Sequence, residues 1–197
     1  MLTRRAVLAL SLATSANSFR WRPAMASTEA LIDDLSAPHP RARNGAEWNM
    51  IADRVMGGVS IGQMRRTVLQ GRAAVRLSGS VSLGNNGGFI QIALDLDPRG
   101  GTVDARGWIG IEVDAIGNNE VYNLHLRTAD VVRPWQSYRA TFRAGNRWQT
   151  HRLPFAAFEP HRLDAPLDPG TLRRVGVVAI GRPFEADVGI GGIRFYR

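Results

Sequence analysis

From residue 47 to the C-terminus, apolar and polar residues alternate in short runs broken by Gly, Asn, Asp and Pro, which is the period-two pattern of antiparallel strands. In residues 89–96, Ile90, Ile92, Leu94 and Leu96 share one face, and Gln91, Ala93 and Asp95 the other, so that strand is predicted to have a core side and a wetter side. Residues 108–114 repeat the pattern with Ile109, Ile111 and Val113 inward, residues 121–127 with Tyr122, Leu124 and Leu126, and residues 138–143 with Tyr138, Ala140 and Phe142. Further strands are predicted at 47–52, 59–64, 73–77, 148–153, 175–179 and 188–196. About ten strands at this spacing, with no long helical period between them, predict an all-β sandwich or jelly roll. A parallel α/β fold needs crossover helices that this chain lacks. The helical candidates are brief: residues 30–35, a turn near 155–158, and residues 169–173 behind Asp168 as N-cap.

The first 26 residues read as a targeting segment. Arg4 and Arg5 precede an apolar run over residues 6–13, and Ala24, Met25 and Ala26 form a small-x-small cleavage signal. The stretch around the arginine pair resembles the twin-arginine export motif. The run is too short to span a bilayer as a permanent helix, so no transmembrane segment is expected in the mature chain. Two readings stay open. Export places the domain in the periplasm. Arg20 and Arg22, with the Ser-rich and acid-free character of the segment, also fit an organelle transit peptide, which places it in the mitochondrial matrix or the equivalent bacterial cytoplasm. Residues 27–46, with Ser36, Pro38, His39 and Pro40, read as a polar linker, leaving 47–197 as one domain.

Composition narrows the chemistry. With no cysteine, disulfides, thiolate metal sites and a cysteine nucleophile are excluded. The net charge of +8 suggests nucleic acid, but there is no lysine, and the leader's four arginines account for half of that charge. The remaining arginines are mixed with acids, so a nucleic-acid partner is not expected. His39, His125, His151 and His161 lie too far apart for a local two-histidine metal motif. Ser60 lacks the Gly-x-Ser-x-Gly elbow, and Gly189, Gly191 and Gly192 fall in a terminal strand with no helix to hold a phosphate. No catalytic residue, metal ligand or cofactor is predicted. A pair of carboxylates converging in space, as glycosidases require, stays the least favoured alternative.

The most informative stretch is the Asp-Arg-Val-Met-Gly-Gly-Val-Ser string at residues 53–60, preceded by Trp48 and followed downstream by Asn85, Asn86, Gly87, Gly88 and Phe89. Here the chain resembles the complex I intermediate-associated protein 30 family. The resemblance continues through Tyr122, Leu126 and Arg127, then Trp148, Leu153, Pro154, Phe155 and Phe158, then Pro166, Leu167, Asp168 and Pro169, and finally Ile190, Ile193 and Tyr196, covering residues 47–197. It implies a galactose-binding-like jelly roll. It also implies a chaperone-like, non-catalytic role in assembling respiratory complex I, with a protein partner and no cofactor. The alternative is an exported carbohydrate-binding module.

Two candidate surfaces follow. Asp53 and Arg54 sit where a strand gives way to Gly57 and Gly58, which permit positive φ. In one reading Asp53 caps the turn and Arg54 pairs with an acid across the sandwich. In the other, Asp53, Arg54 and Asn86 form a recognition site at the loop end. Asn85 and Asn86 before Gly87 and Gly88 fit a hairpin turn, and paired amides also suit a carbohydrate. The second surface is the polar face of the middle strands, with Glu112, Asn123, His125, Arg127, Arg139 and Arg143 pointing away from the predicted core. Trp108 or Trp135 would supply a stacking platform there. The plain reading of that face is a solvated outer sheet.

Overall fold

The computed structural model describes Met25–Ala26 and residues 30–197. In chain order the strands are β1 (Met25–Ala26), β2 (Leu31–Asp33), β3 (Asn49–Ala52), β4 (Ile61–Leu69), β5 (Arg72–Val81), β6 (Phe89–Asp95) and β7 (Val103–Asp104), then β8 (Gly110–Gly117), β9 (Glu120–Thr128), β10 (Ser137–Ala144), β11 (Gln149–Pro154), β12 (Glu159–His161), β13 (Leu172–Ile180) and β14 (Phe184–Tyr196). The first sheet runs β3-β6-β13-β9-β10-β12, with β7 beside the start of β13 and β1 beside β7. The second runs β11-β8-β14-β5-β4, with β2 on the far end of β14. Apart from the short parallel β1–β7 pair, neighbours are antiparallel. The fold is the all-β sandwich that the alternation predicts.

The inward rows are the predicted ones. Ile90, Ile92, Leu94, Tyr122, Leu124, Leu126 and Tyr138 of the first sheet face Leu77, Ile111, Val113, Ile190 and Ile193 of the second, all without solvent exposure. Each fully buried aliphatic side chain contributes roughly 1.5–3 kcal/mol relative to exposure. Ile109 departs from the prediction. It lies before β8 and is 56% exposed, because the strand begins two residues later than the alternation suggested.

In place of the helix expected over residues 30–35, Leu31–Asp33 form strand β2. The backbone of β14 offers Ile193 and Arg194 as partners for Asp33 and Leu31, and pairing to a sheet overrides weak local propensity. Asp33 is fully buried. Its carboxylate accepts from Trp48 Nε1 at 2.7 Å and from the Leu35 and Arg43 amides at 3.0 Å each. Ile32, Leu35, Ala42 and Ala46 join the core, so the segment read as a polar linker packs on the sandwich from Ala30 onward. The predicted leader, apart from the β1 backbone, lies outside the described residues. The other two helical candidates are three-residue 3-10 turns, Phe155–Ala157 and Pro169–Thr171, the second capped by the Asp168 carboxylate accepting from Gly170 N at 2.8 Å.

Two connections place the loop end. Residues 53–60 carry the chain from β3, an edge of the first sheet, to β4, an edge of the second. Residues 82–88 carry it back from β5 to β6. The predicted Asn-Gly hairpin is therefore an arch between sheets: β5 pairs with β4 and β14, and β6 with β3 and β13.

Candidate functional site

The two arches meet on Asp53. Its side chain is fully buried, and its carboxylate accepts from Ser60 N at 3.0 Å, Ser60 Oγ at 2.5 Å, Gly88 N at 2.5 Å and Phe89 N at 3.2 Å. Ser60 Oγ in turn accepts from Ser82 N at 3.0 Å. Burial pushes the Asp53 carboxyl up, but the hydrogen bonds from Ser60, Gly88 and Phe89 outweigh it and hold the group below its ordinary value. The glycines of the motif make this approach possible. A Cβ on Gly58 would lie 2.4 Å from Asp53 Cγ, and one on Gly87 2.4 Å from Asp53 Oδ2. Gly57 ends the 3-10 turn at φ +87°.

Asp53 thus caps the arches and turns away from the surface, so it is not a surface contact. Arg54 is exposed and, among the described residues, forms none of the ion pairs that join arginines to acids elsewhere in the fold. The expected pairing across the sandwich is absent. Asn85 and Asn86 are exposed, with φ of +56° and +57°. The same two arches also carry exposed apolar side chains: Val55 at 74% exposure, Met56 at 52%, Val59 at 46% and Leu83 at 49%. Gly84 lies against Val59, which sets the second arch beside that residue of the first. The signal was legible as apolar residues inside a Gly-rich turn, where a loop is ordinarily polar.

The second candidate is the outer face of the first sheet. Registered pairs form one row across it of Asn49, Ala93, Gly176, His125, Arg139 and Glu159. A second row holds Ile51, Gln91, Val178, Asn123 and Thr141, and a third Asp95, Arg174 and Arg127. Ala93, Gly176 and Val178 are buried and make a low floor. His125 Nε2 is buried without a hydrogen-bond partner. Burial first, then the positive Arg139, His161 and Arg127, push its pKa down to about 3, so the imidazole is neutral. Arg127 donates to the Pro134 and Arg133 carbonyls, and Arg139 to Ser137 Oγ at 3.0 Å. Burial and neighbouring arginines lower both guanidinium pKa values.

Glu112 does not belong to that face. It lies on β8 in the second sheet, where Arg152 at 2.5 Å and Arg194 at 2.6 Å pair with it. Beside it Asp114 accepts from Arg72 at 2.6 Å, Thr150 Oγ1 at 2.5 Å and Arg194 at 2.9 Å. Both acids are only 5% exposed. Alternation told which side of a strand each residue occupies, but not which sheet the strand joins. Trp108 stacks on Phe195 at 6.1 Å beneath Arg197, a packing role in the second sheet. Trp135 is 43% exposed in the β9–β10 loop, with Arg133 5.6 Å above its ring. Apart from His125, the three rows contain no aromatic ring.

Among the described residues no group of three His, Asp or Glu side chains is gathered to hold a metal ion, and no helix is long and apolar enough to cross a membrane. The family model for complex I intermediate-associated protein 30 matches residues 38–187. The chain belongs to the complex I intermediate-associated protein 30 family. Among curated proteins, none matches it by sequence. Solved structures of similar fold include the family 11 carbohydrate-binding module of the cellulosomal cellulase Lic26A-Cel5E of Clostridium thermocellum, at TM-score 0.65 and 14% identity over 85% of this chain and 94% of that one. The Clostridium thermocellum family 11 module in complex with a β-1,3-1,4-mixed-linked tetrasaccharide gives 0.63 and 14% over 85% and 95%. The family 30 module of the cellulase Cel9D-Cel44B of the same organism gives 0.51 and 13% over 69% and 91%. At these identities the likeness is one of fold, and this family member is a jelly-roll sandwich of the galactose-binding-like type.

Proposed function

We propose that this family member is a non-catalytic binding domain whose partner is a protein, engaged at the loop end, in the manner of a respiratory complex I assembly factor. The division of labour within residues 53–60 carries this reading. Asp53, Gly57, Gly58 and Ser60 build the arches, whereas Val55, Met56 and Val59 contribute little to the core and stand in solvent with Leu83. Exposed apolar side chains on a pinned loop end are the usual mark of a protein contact. The expected result is that Val55→Ser/Met56→Ser melts within a few degrees of the parent, as exposed substitutions do, and loses at least roughly tenfold of its association with respiratory assembly intermediates, read by native electrophoresis and crosslinking in the host. Equal association of parent and variant, or none by either, overturns the reading. Mapping the mature N-terminus is part of the same experiment: cleavage after Ala26 with recovery from the periplasm sets the domain on the wrong side of the membrane for this role.

A second reading, polysaccharide binding, is favoured by the fold shared with the carbohydrate-binding modules and by exposed Trp135 beside Arg127. Against it, the rows of the sheet face lack the aromatic platforms on which sugar rings stack. A glycan array that includes mixed-linked β-glucan decides it. Binding abolished by Trp135→Ala supports it, and no binder removes it.

A further inference from the structure

The sandwich is open along one side. β10 pairs with β9 over residues 138–144 but with β12 only over 137–139, and β11 pairs with β8 alone. Residues 145–148 join these two edges, and the space between them is a cleft of about 490 Å³, within the size range of small-molecule sites. Its lining includes Asn119, Arg143, Asn146, Arg147, Gln149 and His151. Every one of these side chains has an N–H donor at neutral pH, and none is a carboxylate.

Period two places Gln149 and His151 on the same side of β11 as Leu153, which is in the core. The inward row of an edge strand ordinarily stays apolar. Here it turns polar where it meets the cleft. The His151 ring rests on Phe142 with centroids 5.1 Å apart. Its Nε2 is buried without a hydrogen-bond partner, an arrangement that costs stability. Arg143 donates to the Asn119 carbonyl at the mouth. Arg147 is exposed and takes part in no ion pair among the described residues. Two guanidiniums and three amides around one cavity form a donor set suited to a planar or tetrahedral oxyanion.

We propose that this cleft binds a small oxyanion-bearing molecule, a carboxylate or a phosphate, with Arg143 and Arg147 neutralising its charge beside the His151 ring that lines the cleft. The site shares no residue with the loop end and stands whether or not the domain binds a protein there. The test uses the full chain with 15N-labelled histidine, titrated at fixed ionic strength with glucuronate, citrate or inorganic phosphate, and with glucose as neutral control. At least one oxyanion is expected to move the His151 ring resonances saturably while glucose does not. Response to the two carboxylates alone or to phosphate alone identifies the anion, and either supports the site. Arg147→Gln is expected to weaken binding about tenfold without shifting the melting temperature, and Arg143→Gln/Arg147→Gln to abolish it. No saturable movement with any of the three, equal movement in the double variant, or movement of His125 in place of His151 overturns the proposal.

Discussion

Asp53→Ala is expected to cost about 3–5 kcal/mol of folding stability, the largest loss of any substitution at the loop end. The carboxylate is fully buried and accepts four hydrogen bonds from two arches that otherwise touch only through glycines and short side chains. Truncation leaves the Ser60, Gly88 and Phe89 donors buried without an acceptor, at about 1–3 kcal/mol each before relaxation. For a chain of this length that is a fall of roughly 6–20 °C in melting temperature. Asp53→Asn does not restore it, because one oxygen becomes an NH2 group facing N–H donors. Gly58→Ala strikes the same contact from the other side, placing a methyl 2.4 Å from a carboxylate that cannot move away, and overpacking of this kind costs about 1–3 kcal/mol. Urea denaturation measures all three. A loss below about 1 kcal/mol for Asp53→Ala would mean that the arches hold themselves, leaving the exposed apolar side chains of the loop end without their scaffold argument.

The same residue shows what the sequence made legible. A buried acid before Gly-Gly, followed by Ser, could be read as a capped turn, and capping is what Asp53 does. That its carboxylate also gathers Gly88 and Phe89, some thirty-five residues away, depends on two arches lying side by side, which no local pattern encodes. Strand positions and inward rows came through because period two is local and burial enforces it. Sheet membership did not: Glu112 alternates as Asn123 and His125 do, yet β8 sits in the opposite sheet. Asp33 was missed for a related reason. Its neighbourhood is polar and Pro-containing, and its role appears only once β14 and Trp48 are in place. The openness of the side between β10 and β11 was likewise invisible, although the polar Gln149 and His151 in an otherwise alternating strand were its trace.

Asp114→Asn is expected to cost about 2–3 kcal/mol at pH 7 and almost nothing near pH 2. Asp114 lies under Arg194, Thr150 and Arg72 on the outer face of the second sheet, its side chain 8% exposed. Burial pushes its carboxyl up, but hydrogen bonds from Arg194, Thr150 and Arg72 and the Arg194 charge reverse this and bring the pKa down from 3.8 to about 2. A carboxyl whose folded pKa lies below its unfolded one stabilises the fold above the unfolded value, and loses that contribution as pH falls through the folded value. At about 1.4 kcal/mol per pH unit the contribution is about 2 kcal/mol. Stability of parent and variant, measured by urea titration from pH 7 down to pH 2, should therefore converge between about pH 4 and pH 2. A constant gap across that window would assign the effect to packing instead of charge. Arg152 supplies the contrast within the same network. Its side chain is 69% exposed and Glu112 keeps Arg194 when it is removed, so Arg152→Ala should cost below about 1 kcal/mol. The weight of the network rests on the two buried acids of β8, which β5, β11 and β14 surround with Arg72, Arg152 and Arg194.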